Sequence, residues 1–142
     1  MLSTLALELN SLSIHLVRWS RRADDALGVP PARLSALSVL VFGGDRTLSE
    51  LADAEQVSLA TMSRVVDGLE RTGLARRHPN PQDARSWVVH ATAKGRRLME
   101  KGRAARVERM EAVLQHVPTR DHATVEHALV LLRAALTEAA TP

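Results

Sequence analysis

A change of hydrophobic period at Gly73 constrains the fold of this chain more than any other feature. Upstream, Thr47-Leu48-Ser49-Glu50 has the pattern of a capping box, in which the Thr47 hydroxyl takes the Glu50 amide while the Glu50 side chain reaches back. The helix it opens turns Leu48, Leu51 and Ala52 inward and ends around Glu55. Gln56-Val57-Ser58 turns the chain, and Ser58 caps a second helix that runs to Thr72 with Gly73 beyond its end. Two short helices joined by a tight turn are a helix-turn-helix candidate. Past Gly73 the period falls to two, so residues 74–78 and 87–91 read as short strands, with Trp87, Val89 and Ala91 on one face and Val88 and His90 on the other. Between them Pro79-Asn80-Pro81-Gln82-Asp83-Ala84-Arg85-Ser86 reads as an exposed loop. A helix pair followed by a basic hairpin is a winged helix-turn-helix, and the combination is far more specific than either half.

The charge sits in the same segment. The net charge is only +3, but residues 58–103 hold ten basic residues against four acids, +6, while residues 1–57 carry −2 and residues 104–142 carry −1. A basic block of this kind is a plausible phosphate footprint, although a solvated surface explains it equally well when taken alone. Helical geometry shows which side of the second helix is free. Met62, Val65, Val66 and Leu69 share one side, and Ala60, Arg64, Asp67 and Arg71 fall opposite, flanked by Thr61, Ser63 and Gly68. Small residues near the helix start allow close approach to a major groove, and hydroxyls and arginines can bind phosphates or base edges.

The flanks are helical. Leu2, Leu5, Leu9, Leu12, Leu16 and Trp19 recur at steps of three and four, with Ala23 and Ala26 continuing to a helix end near Leu27 and a stop at Gly28. Pro30 and Pro31 restart the chain into a short, largely buried helix bearing Leu34, Leu37 and Val41, which stops at Gly43-Gly44. Thr92 caps a long helix whose apolar side runs through Leu98, Val107, Met110, Leu114 and Val117 up to Pro118, with Gly95 and Gly102 unexplained by any local rule. Thr119 caps a last helix carrying Val125, Leu129, Leu132 and Leu136. This is more apolar helix than a winged lobe needs. The expected fold class is mainly α with a small β-hairpin wing, a winged helix-turn-helix of residues 30–95 flanked by helical regions at residues 1–28 and 96–142 within one domain.

These residues resemble the MarR family of bacterial winged-helix transcriptional regulators over nearly the whole chain. Leu48-Ser49-Glu50-Leu51-Ala52, Val57-Ser58, Ser63-Arg64-Val65-Val66-Asp67-Gly68-Leu69-Glu70 and Gly73-Leu74 are similar to that family's recognition block. Asp83-Ala84-Arg85, Val89 and Thr92-Ala93-Lys94-Gly95 are similar to its wing and the helix start that follows. The resemblance implies a homodimer held by the terminal helices, acting on double-stranded DNA as a sequence-specific regulator, a repressor by family habit, at a pseudo-palindromic operator. It puts Ser58, Ala60, Thr61, Ser63 and Arg64 at the groove-facing part of the recognition helix, with Arg71 further along it. Arg85 stands at the wing tip, where it would enter a minor groove with Asp83 orienting its guanidinium. Asn80, Gln82 and Ala84 replace charged residues common in this wing, and Ala91 stands where Leu is usual, with Trp87 filling the base of the hairpin.

Many family members bind small, often aromatic, acids between the dimerisation helices and the DNA-binding lobe. On that analogy a small aromatic or anionic effector would use His15, Arg18 and Trp19, Arg18 for a carboxylate and Trp19 for a ring. Periodicity gives Trp19 the plainer role of packing in a core or dimer seam, and His15 and Arg18 equally suit a surface. The chain has no Cys, which excludes thiolate nucleophiles, disulfides and a thiol-oxidation switch. There is no GxSxG, no phosphate-binding Gly loop and no HExxH, and His116, His122 and His127 lack a ligand spacing, so no enzyme, cofactor or metal is expected. No apolar run reaches the roughly 18 residues of a membrane span, and the expected location is the cytoplasm, with no membrane partner. The alternative is a helical dimeric protein-protein interaction module on the same scaffold, which would need neither the +6 block nor the wing-tip arginine.

Overall fold

The capping signals become elements where the local chemistry demands them. The computed structural model describes residues 1–140, with helices α1 (Leu2–Arg21), α2 (Pro31–Gly43), α3 (Leu48–Ala54), α4 (Leu59–Arg71), α5 (Ala93–Leu114) and α6 (His122–Ala139). Three strands, β1 (Arg46–Thr47), β2 (Ala75–Asn80) and β3 (Asp83–Ala91), form an antiparallel sheet in the order β1-β3-β2. The chain divides into two compact units, Met1–Val107 and the residues from Glu108 onward. No single helix among the described residues is long and apolar enough to cross a membrane.

In the first unit the Thr47–Glu50 capping box forms as expected, with the Glu50 N–H donating to Thr47 Oγ1 at 3.1 Å and the Thr47 N–H to Glu50 Oε2 at 2.9 Å. Such a cap is worth about 1 kcal/mol. Leu37 and Leu40 of α2, Leu51 of α3, and Met62, Val66 and Leu69 of α4 close on Val89 of β3 as the fully buried core. The helix-turn-helix is therefore rigid because its inner face is the core. Gln56 sits in the turn at φ 55°.

The hairpin is longer than expected. Residues 79–86 form not an open loop but the outer ends of β2 and β3 around Pro81-Gln82, with an irregularity at Pro79/Asn80. Side chains make this possible where composition suggested disorder: Asn80 Oδ1 accepts the Gln82 N–H at 3.0 Å, and Asn80 Nδ2 donates to Ser86 Oγ at 2.9 Å. The segment is nonetheless largely exposed, as expected. Val89 and Ala91 face the core, but Trp87 stays 45% exposed opposite Pro79 and does not fill the hairpin base. β1 pairs Arg46 with Val89 and was not expected, because two residues cannot display a period.

Three helix ends differ from expectation. α1 stops at Arg21, and a 3-10 turn (Asp25–Leu27) ends at Gly28, because tertiary ties take over: Arg106 Nη1 donates to Asp24 Oδ1 at 2.5 Å, and Leu27 lies over α5 at Gly102. α5 ends at Leu114, four residues short of Pro118. Thr119 does not cap α6: it lies within a 3-10 turn (Thr119–Asp121) that starts after Pro118, so its backbone is already helical and α6 begins at His122. His122 Nε2 instead donates to the Val117 carbonyl at 3.0 Å.

The two glycines of α5 now have a reason. A Cβ at Gly95 would collide with the Leu74 carbonyl, and one at Gly102 would meet Leu27 Cδ1 at 2.8 Å. Both are buried, and both let α5 lie directly against its neighbours. Thr92 caps this helix, its Oγ1 accepting the Gly95 N–H at 3.1 Å while donating to the Gly73 carbonyl at 2.6 Å.

Candidate nucleic-acid interface

α4 separates its two faces sharply. Met62, Val66 and Leu69 are at most 1% exposed, while Ser58, Ala60, Thr61, Arg64 and Arg71 are exposed and Ser63 is half-buried. Ser58 Oγ accepts the Thr61 N–H at 3.1 Å and donates to Thr61 Oγ1 at 2.9 Å, so the first turn of the helix is fixed before any ligand arrives. The structure adds Leu59, 52% exposed in the same turn, which sequence reasoning overlooked. An exposed apolar side chain there suits a thymine methyl in a major groove. Its signal was its position in the first turn of the helix, next to the Ser58 cap. Gly68 departs from expectation: it does not flank an open face, because the Arg33 guanidinium from α2 lies where its Cβ would be.

The basic block divides by what each cation meets. Lys94 Nζ donates to the Thr72 carbonyl at 2.8 Å, closing the C-terminal end of α4. Arg77 on β2 is held against α4 by Asp67 and Glu70. Burial lowers its pKa, but the Asp67 hydrogen bond and the charges of both carboxylates outweigh that, so the guanidinium is held above its usual value and stays charged. Arg64, Arg71, Arg76 and Arg85 of the helix-turn-helix and hairpin remain exposed, as do Arg96, Arg97, Lys101 and Arg103 of α5. These are the cations a phosphate backbone could meet.

At the wing tip Asp83 Oδ1 accepts the backbone N–H of Arg85 at 3.0 Å. The carboxylate thus shapes the turn by holding the Arg85 backbone, where a grip on the guanidinium was expected. Arg85 itself is exposed at the end of the hairpin, free to enter a groove. Recognition turn and wing tip belong to one compact unit.

The three ligand candidates lie on α1 and are exposed. Arg22 Cζ stands 5.9 Å from the Trp19 ring centroid, so a cation from the same chain already uses that ring. A cavity of about 400 Å³ opens nearby in sequence but not onto these residues: Arg21, Asp24, Leu34, Ser38, Met99 and Arg106 line it, and His15, Arg18 and Trp19 do not. Asp24 and Arg106, far apart in sequence, meet there.

Residues 27–86, which contain the whole helix-turn-helix and the wing tip, match the sequence model of the MarR family. Over those residues the chain is similar to the MarR family. The chain is 30% identical over 91 residues to the protein described as uncharacterized HTH-type transcriptional regulator YkoM of Bacillus subtilis, a match that covers 64% of the chain. It covers 56% of YkoM, so the chain spans just over half the length of that curated relative. In fold it is similar to the transcriptional regulator Tm0710 from Thermotoga maritima, with a TM-score of 0.87, 21% identity and 99% of each chain covered. It is also similar in fold to a mutant of S. aureus MepR bound to an oligodeoxyribonucleotide, with a TM-score of 0.72, 19% identity and coverage of 93% of this chain and 97% of that one. The family and the curated relatives are transcriptional regulators and not enzymes.

Proposed function

We propose that this chain is a sequence-specific DNA-binding regulator of the MarR family that acts as a homodimer on a pseudo-palindromic operator, repressing by occupying it. The observation that carries the reading is the rigid, capped, small-residue first turn of α4 in the same compact unit as an exposed wing-tip arginine. Ser58, Ala60, Thr61, Ser63 and Arg64 read the major groove, Arg71 meets the backbone, and Arg85, its turn shaped by Asp83, enters the adjacent minor groove. The DNA-bound state of a protein with the same fold supports this assignment.

The exposed apolar faces of α1 and α6 support the dimer, because an apolar stripe of this length left in water marks an interaction surface. The winged helix of residues 30–95 is then the reading lobe and the flanks are the dimerisation region. A small anionic or aromatic effector would meet Arg18 and His15 on α1, with Trp19 available once Arg22 swings away, and would act by favouring a dimer spacing that does not match the operator.

Selection of bound sequences from random duplex DNA tests the reading. A pseudo-palindrome with half-site centres about one helical turn apart is expected. Recovery of no consensus, or affinity unchanged between about 50 and 200 mM salt, would overturn it in favour of a protein-binding module.

A further inference from the structure

Arg77 occupies the inner side of the hairpin, in register with Val89 of β3, and its side chain is 21% exposed. Its backbone N–H donates to Glu70 Oε1 at 3.0 Å and its Nε to Glu70 Oε2 at 3.0 Å. Its Nη2 pairs with Asp67 Oδ1, and its Nη1 reaches Ser63 Oγ at 3.5 Å. The three α4 partners sit at i, i+4 and i+7, one straight row along the helix. One guanidinium fork thus spans two turns of the recognition helix from the strand that leads to the wing tip.

Two consequences follow from the geometry. A row of contacts along a helix resists tilting of the helix axis against the strand as well as rotation about that axis, and a single contact does not resist both. Asp67 and Glu70 also lie beside the groove-facing side of α4, where uncompensated carboxylates would repel phosphates. Arg77 neutralises them without adding a cation to the exposed surface. A lysine offers a point charge and cannot reproduce the planar fork.

We propose that Arg77 is a positioning residue for sequence reading: it fixes the rotation of α4 relative to the hairpin, so that residues 58–64 and Arg85 engage neighbouring grooves in one register, and it touches no phosphate itself. This rests on the DNA-binding reading above. Arg77 therefore governs discrimination between sequences without contacting DNA, whereas Arg71 and Arg85 govern affinity.

The test measures binding of the full chain to its selected duplex and to a scrambled duplex across a salt series, for wild type, Arg77→Gln, Arg77→Lys and the double variant Asp67→Asn with Glu70→Gln. Wild type reports on the function alone: no preference for the selected duplex defeats the DNA reading and this inference with it. Given a wild-type preference, Arg77→Gln is expected to reduce the ratio of specific to non-specific affinity about tenfold or more, the scale of losing a base contact, with the salt slope of wild type retained. Arg77→Lys keeps the charge and does not restore the ratio. The double variant releases Arg77 as a free cation, so non-specific affinity rises, the salt slope steepens, and the ratio still falls. A salt slope reduced by about one in Arg77→Gln would make Arg77 a phosphate contact and overturn the proposal. An unchanged ratio in both the Arg77→Gln and the double variant would overturn it as well. Should Arg77→Gln not fold, shown by circular dichroism, the double variant decides on the same ratio.

Discussion

Arg85 and Arg77 carry the same charge and differ in what that charge meets. Arg85 is exposed and only its backbone is held, by Asp83, whereas Arg77 is satisfied by two carboxylates. Arg85→Ala should therefore lower DNA affinity and reduce the salt slope by about one per site, as loss of a phosphate-zone cation does. Its melting temperature should equal that of wild type, because the guanidinium supports no other group. Fluorescence anisotropy across a salt series, paired with thermal melting, checks both halves. Thr47 makes the opposite case. It lies outside the reading surface and caps α3 through the Glu50 amide, so Thr47→Ala should cost about 1 kcal/mol of unfolding free energy, read from the denaturant midpoint.

At the scale of elements, α5 is governed by its contacts and not by its propensity. Gly→Ala within a helix ordinarily gains about 1 kcal/mol. At Gly95 the added Cβ meets the backbone carbonyl of Leu74, which cannot move without shifting the start of β2, and overpacking of this kind costs about 1–3 kcal/mol. At Gly102 it meets the end of the Leu27 side chain, which can rotate. Gly95→Ala should therefore be net destabilising and Gly102→Ala close to neutral, a difference that urea unfolding of the two variants resolves. Equal midpoints would mean that the Leu74 carbonyl yields as readily as a side chain. The same contrast explains what could be read in the chain beforehand. Caps, turns and hydrophobic periods are local, so α2, α3, α4, the hairpin and the exposed turn of α4 were legible from Thr47, Ser58, Gly73 and the alternation at residues 87–91. The tie between Asp24 and Arg106 and the Arg77 clamp join residues that no period relates, and they decide where α1 ends and how α4 is oriented. The site was thus legible as a face but not as a network. Leu59 went unseen because an exposed leucine breaks the polar pattern by which the face was recognised.

At the scale of the whole molecule, the helical flanks hold the largest unspent free energy. No residue of α1 or α6 is buried, although both are rich in leucine: Leu5 is 62% exposed and Leu12 53% on α1, and Leu129 is 56% and Leu136 71% on α6. Fully burying one such side chain is worth about 1.5–3 kcal/mol and finishing the burial of a half-exposed one about half that, so it takes the leucines of both faces on two chains together to offset an association cost of about 4–15 kcal/mol. Sedimentation at micromolar concentration should give twice the 15.5 kDa of one chain, and the melting temperature should rise with protein concentration, as it does when folding and association are linked. Leu132→Glu with Leu136→Glu places two charges on that face of α6 and should yield a monomer. The core around Leu37 and Val66 contains neither residue, so the winged lobe keeps its helical signal. Each freed lobe retains its reading surface but loses the second half-site, and the avidity of linked binding is about 10²–10⁴-fold, so affinity for the full operator should fall by that factor while affinity for an isolated half-site stays as in wild type. A wild-type chain sedimenting at 15.5 kDa, or a monomeric variant binding the full operator as tightly as wild type, would separate DNA reading from dimerisation and leave the leucine faces to another partner.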